Sequence, residues 1–440
     1  MPLFLDRIKT TSFNSVHTKG LFSLHQKQKM KLIVALAILL SSLNTAAQDG
    51  RQIKLCKGNW VASLALNDAH KLPFNFVVTK ETSGYTFSVK NGEEVIMLNK
   101  PVRRGDSLYV RFPFFNSELV FAVNSRKSIE GYWVNYNKGS DYKIPFQSTK
   151  KRFDLFSFAS KKKPKNTIGG KWEVTFQPNT NEVYPALGIF NQDEKINSIS
   201  GTFLTETGDY RFLQGNIIND SLYLSCFDGS HAFLFKSAID NDSLHGTFYS
   251  GSHWSSSWNA RRNENFELKS PDELTYIVDD KKVEFNLKDV AGNPYLFPNH
   301  ETYDKVVILQ VMGTWCPNCL DETMYYKDLY NMYHQQGLEI VSIGYEVGDT
   351  FEEHSASIKR LANKLGLDFT FLVGGSATKR LASEHFDMLN QVISFPTSIF
   401  IGRDGEVKRV HTGFNGPGTG DYYKKYVENT NSLIQKLLAE

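Results

Sequence analysis

Two cysteines three residues apart, Cys316 and Cys319, sit in the stretch Val306–Leu320, which reads VVILQVMGTWCPNCL. Cysteines at this spacing can pass between dithiol and disulfide, and one of them can attack a foreign disulfide while the other completes the exchange. The preceding run is apolar and rich in β-branched residues, as in a strand buried on both faces. It breaks at Gly313-Thr314, and helix-compatible sequence follows the second cysteine. A strand, a tight turn and a helix therefore bring both sulfurs to a helix N-terminus. Unpaired backbone N–H groups and the helix dipole favour a thiolate at Cys316 there. Pro317 suits the first helical turn because its missing N–H would have no partner there.

Two other readings compete with redox chemistry. Half a zinc site needs a second Cys or His pair, but Cys56 and Cys226 lie alone in distant β-rich sequence and no HxxxH follows. No metal or cofactor is expected. A purely structural disulfide would not need Trp315 before the pair, nor the strand-to-helix setting.

With its WCPNC, Ile308–Cys319 resembles the thioredoxin fold, and within it the periplasmic TlpA/ResA-like thiol–disulfide oxidoreductases. The likeness runs over about residues 280–440. Ser394-Phe395-Pro396-Thr397, followed by SIFIGRDGEVKRVHTG, is similar to the family's cis-proline loop, next strand and hairpin. The resemblance implies a cis peptide at Pro396, lying against the cysteines, with neighbouring backbone left to pair with an incoming chain. It also implies that Trp315 shapes the docking groove. Gln310 falls where cytoplasmic thioredoxins bury a carboxylate that moves the second thiol's proton. Relatives of the TlpA/ResA type use a glutamate at the end of the next strand, and LEIVSIGYEVGD offers Glu346, one residue from the position a simple register selects. Glu346 is therefore a candidate acid/base group for Cys319, the alternative being a carboxylate that caps a solvated loop.

The N-terminal part reads as an export signal. Met30-Lys31 precede LIVALAILLSSLNTAAQDG, a basic start and an apolar run too short to span a bilayer, with small residues placing cleavage near Ala47. The first 29 residues are either an upstream extension or a misassigned start. No cysteine follows the cleavage point to carry a lipid anchor. The chain of 440 residues has room for two or three domains, and its 50 Lys+Arg against 47 Asp+Glu give no basis for nucleic-acid binding. Short basic runs at Lys150-Lys151 and Lys161–Lys165 read as a solvated linker.

Between signal and dithiol the writing is antiparallel β-sheet: short alternating aromatic and β-branched runs split by Gly, Asn and Asp. It repeats itself. Gly58-Asn59-Trp60 returns as Gly170-Lys171-Trp172, Asp106-Ser107-Leu108-Tyr109 as Asp220-Ser221-Leu222-Tyr223, and Ile129-Glu130-Gly131 as Leu244-His245-Gly246. The nearly constant offset marks a tandem duplication, each copy offering about eight short strands. Either two calycin-like barrels or one two-sheet sandwich would satisfy the pattern. Calycin barrels place an Arg over the first-strand Trp, here Arg261 or Arg262. Trp133, Tyr136, Phe248, Trp254 and Trp258 are either core or the lining of a ligand pocket. His231, His245 and His253 read as ordinary β residues, and Cys56 and Cys226 as unpaired thiols.

The expected division is a signal with upstream extension over 1–47, β units over 48–150 and 169–268 joined by a basic linker over 151–168, and a thioredoxin-like α/β domain over 272–440. The function implied by the resemblance is a periplasmic oxidoreductase that reduces disulfide-containing client proteins and is recharged by a membrane thiol reductant. Cytochrome c apoprotein is one conceivable client, which would place the chain in cytochrome c-type biogenesis. The alternatives are a dithiol oxidase or isomerase, and a barrel protein binding a client or small ligand with an accessory redox domain.

Overall fold

The computed structural model describes residues 53–139, 141–150, 166–193, 197–278 and 282–440. The signal region and residues 151–165 of the basic linker lie outside them. From Lys54 to Glu440 the chain forms one unit.

The first β unit holds β1 (Gly58–Ala65), β2 (Lys71–Glu81), β3 (Gly84–Asn91), β4 (Glu94–Met97) and β5 (Val102–Arg104). It continues with β6 (Ser107–Arg111), β7 (Ser117–Ser125), β8 (Ser128–Asn135) and β9 (Lys143–Thr149). The second holds β10 (Gly170–Phe176), β11 (Tyr184–Asp193), β12 (Ser198–Thr205), β13 (Gly208–Asp209) and β14 (Leu213–Ile218). Its remaining strands are β15 (Ser221–Phe227), β16 (Ala232–Asp240), β17 (Ser243–Ser250) and β18 (Trp254–Arg262).

Both sheets are antiparallel meanders in which the last long strand returns beside the first. The second closes: β11 pairs with β12 as well as β10, completing an eight-stranded barrel with the short β13 appended. The first does not close by strand pairing, so of the two β units the second is the closed barrel. Its order runs β4-β3-β2-β1-β9-β8-β7-β6-β5, with β4 and β5 at the edges. The chain crosses the seam through Leu98, whose N–H reaches the Phe87 carbonyl, and Asn99, whose N–H reaches that of Arg111. Each edge strand has at most four residues and pairs only with its own hairpin partner, β4 with β3 and β5 with β6.

The duplication recurs in three dimensions. Trp60 Nε1 donates to the Cys56 carbonyl at 2.9 Å, and Trp172 Nε1 to the Ile168 carbonyl at 2.8 Å, the same four-residue return in both units. In the barrel Arg262 stands opposite Trp172 and lies over its ring at 4.6 Å, while donating to the carbonyls of Gly169 and Thr167. Lys150 takes the corresponding place in the first unit, its ammonium reaching the Lys57 carbonyl.

The barrel interior is filled. Phe176, Phe203, Phe235, Phe248 and Trp258 pack ring against ring, with Tyr184, Tyr210 and Trp254 at their margin. Trp133 is core in the first unit, whereas Tyr136 is exposed and bonded to Glu118. Cys226 lies in the barrel core and Cys56 is half-buried, and the two are free.

The C-terminal region is thioredoxin-like. Its strands are β19 (Phe285–Asp289), β20 (Pro294–Phe297), β21 (Val306–Met312), β22 (Leu338–Glu346), β23 (Thr370–Ser376), β24 (Thr397–Ile401) and β25 (Val407–Thr412). The helices are α1 (Pro317–Tyr333), α2 (Phe351–Leu365), α3 (Lys379–His385) and α4 (Asp421–Ala439). One seven-stranded sheet orders these strands β20-β19-β23-β22-β21-β24-β25, with β21–β22 and β22–β23 parallel. All seven residues of β21 are buried, six of them apolar and the seventh, Gln310, hydrogen-bonded. Helix α3 is short: Thr378 caps its start and Phe386 leaves helical geometry at its end.

Replacing Arg262 with Met should remove the cation–π contact and two carbonyl bonds, costing about 1–3 kcal/mol. A lowered denaturation midpoint in urea, with Trp172 fluorescence altered in the native state, is the expected result.

Candidate active site

Strand β21 delivers the chain to the site, and the turn at Gly313–Trp315 passes it to α1. Cys316 is the N-cap of α1 in extended conformation, with Pro317 in the first turn. Its sulfur accepts the backbone N–H of Cys319 at 3.3 Å, so the reactive atom itself satisfies one of the helix's unpaired donors. The Cys316 thiol also reaches the Phe395 carbonyl at 3.6 Å, in the residue before Pro396, and the Phe395–Pro396 peptide is cis. Cys316 keeps 8% of its surface exposed and Cys319 none. Burial pushes the Cys319 thiol well above its ordinary value, and Cys316 and Glu322 add to the effect. A proton therefore resides on Cys319 until a base removes it.

Trp315 is anchored by its Nε1–H, which donates to the Tyr345 carbonyl at 2.9 Å, and its ring meets Phe395 edge-on. Glu346 ends β22 and is 2% exposed, which excludes the solvated-loop alternative. Its carboxylate accepts the Thr314 N–H at 2.8 Å and the Thr314 hydroxyl at 2.6 Å. Burial raises its pKa to about 7, although the Thr314 bonds oppose the rise.

A second buried carboxyl escaped sequence reasoning. Glu322 lies three residues after Cys319 on α1 and is fully buried. It accepts from Gln310 at 2.9 Å, Ser398 at 3.0 Å and Tyr326 at 3.1 Å. Burial lifts it to about 7. Gln310, at the strand position where an acid was sought, thus holds an acid supplied by the helix. Its own carbonyl is occupied by Ser342 and Thr323. The i+3 spacing from Cys319 was the available signal, since it sets both side chains on one helix face.

The glycine-rich loop Gly413–Gly420 lies at this end of the domain. The Phe414 carbonyl accepts from Asn318, between the cysteines, at 3.4 Å. Among the described residues no group of His, Cys, Asp and Glu is placed to hold a metal ion.

A buried dithiol on a helix N-terminus beside a cis-proline loop, in a thioredoxin-like sheet, defines a thioredoxin-type redox domain. Residues 277–426 match the Redoxin family model. The chain is 30% identical over 136 residues to thiol-disulfide oxidoreductase ResA of Geobacillus kaustophilus, covering 30% of this chain and 66% of that protein. It is 28% identical over 139 residues to ResA of Halalkalibacterium halodurans, covering 30% of this chain and 68% of that protein. The chain thus spans about two thirds of the length of the curated relatives it matches. A thioredoxin family thiol:disulfide interchange protein from Chlorobium tepidum aligns at 20% identity and TM-score 0.26, over 37% of this chain and 99% of that one.

Because the pKa of Glu322 is raised on folding, its ionised form is the disfavoured one in the folded chain. Its contribution to stability is complete below the ordinary glutamate range and is lost as pH rises through about 7. Glu322→Gln should be less stable than the wild type at about pH 5, through weakened bonds to Tyr326 and Ser398. Relative to the wild type it should recover up to about 3 kcal/mol by about pH 8. Urea titrations at the two pH values measure the difference directly.

Proposed function

We propose that this chain is an exported thiol–disulfide oxidoreductase that reduces disulfides of client proteins in the periplasm. The observation that carries the reading is the Cys316 sulfur capping α1, with the Cys319 N–H pointed at it. The Cys316 thiolate attacks one sulfur of a client disulfide and expels the other as a thiolate. Cys319 then gives up its proton and attacks Cys316, releasing the second client thiol and leaving Cys316–Cys319 oxidised by two electrons. A membrane thiol reductant returns the pair to the dithiol. Clients include cytochrome c apoprotein or misoxidised secreted proteins. Export rests on the apolar run after Lys31 and its small-residue end.

Within this reading Trp315 and the backbone before Pro396 form the docking groove. Two carboxyls stand ready as proton acceptor for Cys319. Glu346 holds the turn that precedes the pair, and Glu322 is close enough for its charge to raise the Cys319 thiol. Both titrate at about 7, so either would act as a base near neutral pH. Glu322 follows Cys319 by three residues on the same helix face, which favours it.

Reduction of a small aromatic disulfide by the full chain should vanish in Cys316→Ser, whereas Cys319→Ser should accumulate the mixed disulfide. No turnover by the wild type, or full turnover in Cys316→Ser, removes the reading. Resolution of the mixed disulfide should quicken about tenfold between about pH 6 and about pH 8 and lose that rise in Glu322→Gln. Loss of the rise in Glu346→Gln alone would assign the base to Glu346 instead. A measured reduction potential near the thioredoxin end, about −270 mV, fits a reductase; one near about −120 mV makes the chain an oxidase.

A further inference from the structure

The barrel does not stand apart from the redox pair. Its β12–β14 connection, turning at Glu206-Thr207 and paired at Leu204–Asp209 and Thr205–Gly208, lies against the site. The Thr207 carbonyl accepts the Ser394 hydroxyl at 3.2 Å, two residues before Pro396. The Asp209 carbonyl accepts from Asn318, between the cysteines, at 3.4 Å, and its carboxylate takes the Gly416 N–H at 2.6 Å. Approach is so close that a Cβ on Gly413 would fall 2.6 Å from the Thr207 carbonyl oxygen, and a Cβ on Gly208 would collide with the Asn318 amide. From the same barrel end the Asp228–His231 turn delivers Ser230, whose hydroxyl donates to the Trp315 carbonyl at 2.9 Å. Two loops of one barrel end thus touch Trp315, Asn318 and the cis-proline loop.

One residue fastens this cover. Arg211, 4% exposed, follows the hairpin and donates to the Pro317 carbonyl at 3.3 Å and to Asp321 on α1. Its other arm reaches Glu94 of the first unit at 2.5 Å, and its Nε lies 3.9 Å from Asp228. A buried guanidinium held by carboxylates from three parts of the chain is costly to disrupt on one side only. The remaining contacts of the hairpin tip are single polar bonds, each worth about 1 kcal/mol.

Thr207 sits against Ser394 and against Gly413, whose N–H holds the Pro396 carbonyl, so a chain docking in the groove proposed above meets the hairpin turn first. We propose that the hairpin turn Thr205–Asp209 is the specificity element of the redox site, fastened at its base by Arg211. It passes small disulfides to Cys316 while excluding folded client chains until the turn swings away, with Tyr210 staying packed against the barrel core. The inference rests on the exchange reaction proposed above.

The test uses the full chain and two substrates, a small aromatic disulfide and insulin. Arg211 touches the Pro317 carbonyl and so also acts on the reactivity of Cys316, but that effect scales both rates alike and cancels in their ratio. Arg211→Gln should raise the insulin-to-small-disulfide rate ratio about tenfold or more, corresponding to about 1.4 kcal/mol of latch, and Arg211→Lys should lie between. A ratio unchanged within about twofold, with both rates moving together, overturns the proposal while leaving exchange intact. Should Arg211→Gln fail to fold, the wild-type chain still decides. Alkylation of Cys316 by a polymer-linked maleimide, followed by peptide mass spectrometry, should reach a plateau with reagent concentration set by hairpin opening, while iodoacetamide stays linear. Linear behaviour with both reagents refutes the cover. If neither disulfide is reduced by the wild type, the exchange reading itself fails, and the alkylation still reports on the hairpin.

Discussion

Everything at the redox end is arranged around a sulfur that serves as a helix cap. The Cys316 side chain accepts the Cys319 N–H where a serine or aspartate would ordinarily stand, and this ties the reactive atom to the backbone of its own partner. The strand β21 must end abruptly for this to work, and Thr314 must be held while the chain turns. Glu346 does that holding from the end of the neighbouring parallel strand. The chemistry is thus set by backbone groups, with side chains fixing where the backbone goes.

Burial of acids is the second theme. Glu322 and Glu346 come from different elements, yet both are buried and carry pKa values displaced by desolvation to about 7. Such groups are costly to keep, and each is retained by a shell of donors rather than by a cation at hydrogen-bond distance. The exchange of roles between strand and helix is instructive. Gln310 occupies the strand position and hands a hydrogen bond to an acid that α1 brings across.

Much of this was legible in the residues. The apolar run around Gln310 marked β21, the WCPNC spacing located the helix start, and alternation with turn residues marked the barrel region as short antiparallel strands. The Arg over the first-strand Trp was visible as Arg261 or Arg262, and pairing selects Arg262. What escaped is non-local. Arg211 meets Asp321 and Glu94 at 110 and 117 residues' separation, and no local period encodes such a meeting. Glu322 was hidden because an acid on a helix reads as solvated until the packing of its face is known. The unsealed first sheet was hidden because β4 and β5 have ordinary strand sequences and differ only in length.

That unsealed sheet has a consequence of its own. Glu94 opens β4, an edge strand that closure would have enlisted in a continuous wall. Left on the rim, the strand extends its first side chain to the neighbouring copy instead. The closed copy satisfies every wall strand from within itself, while the open copy lends an edge carboxylate to the buried guanidinium of its sibling.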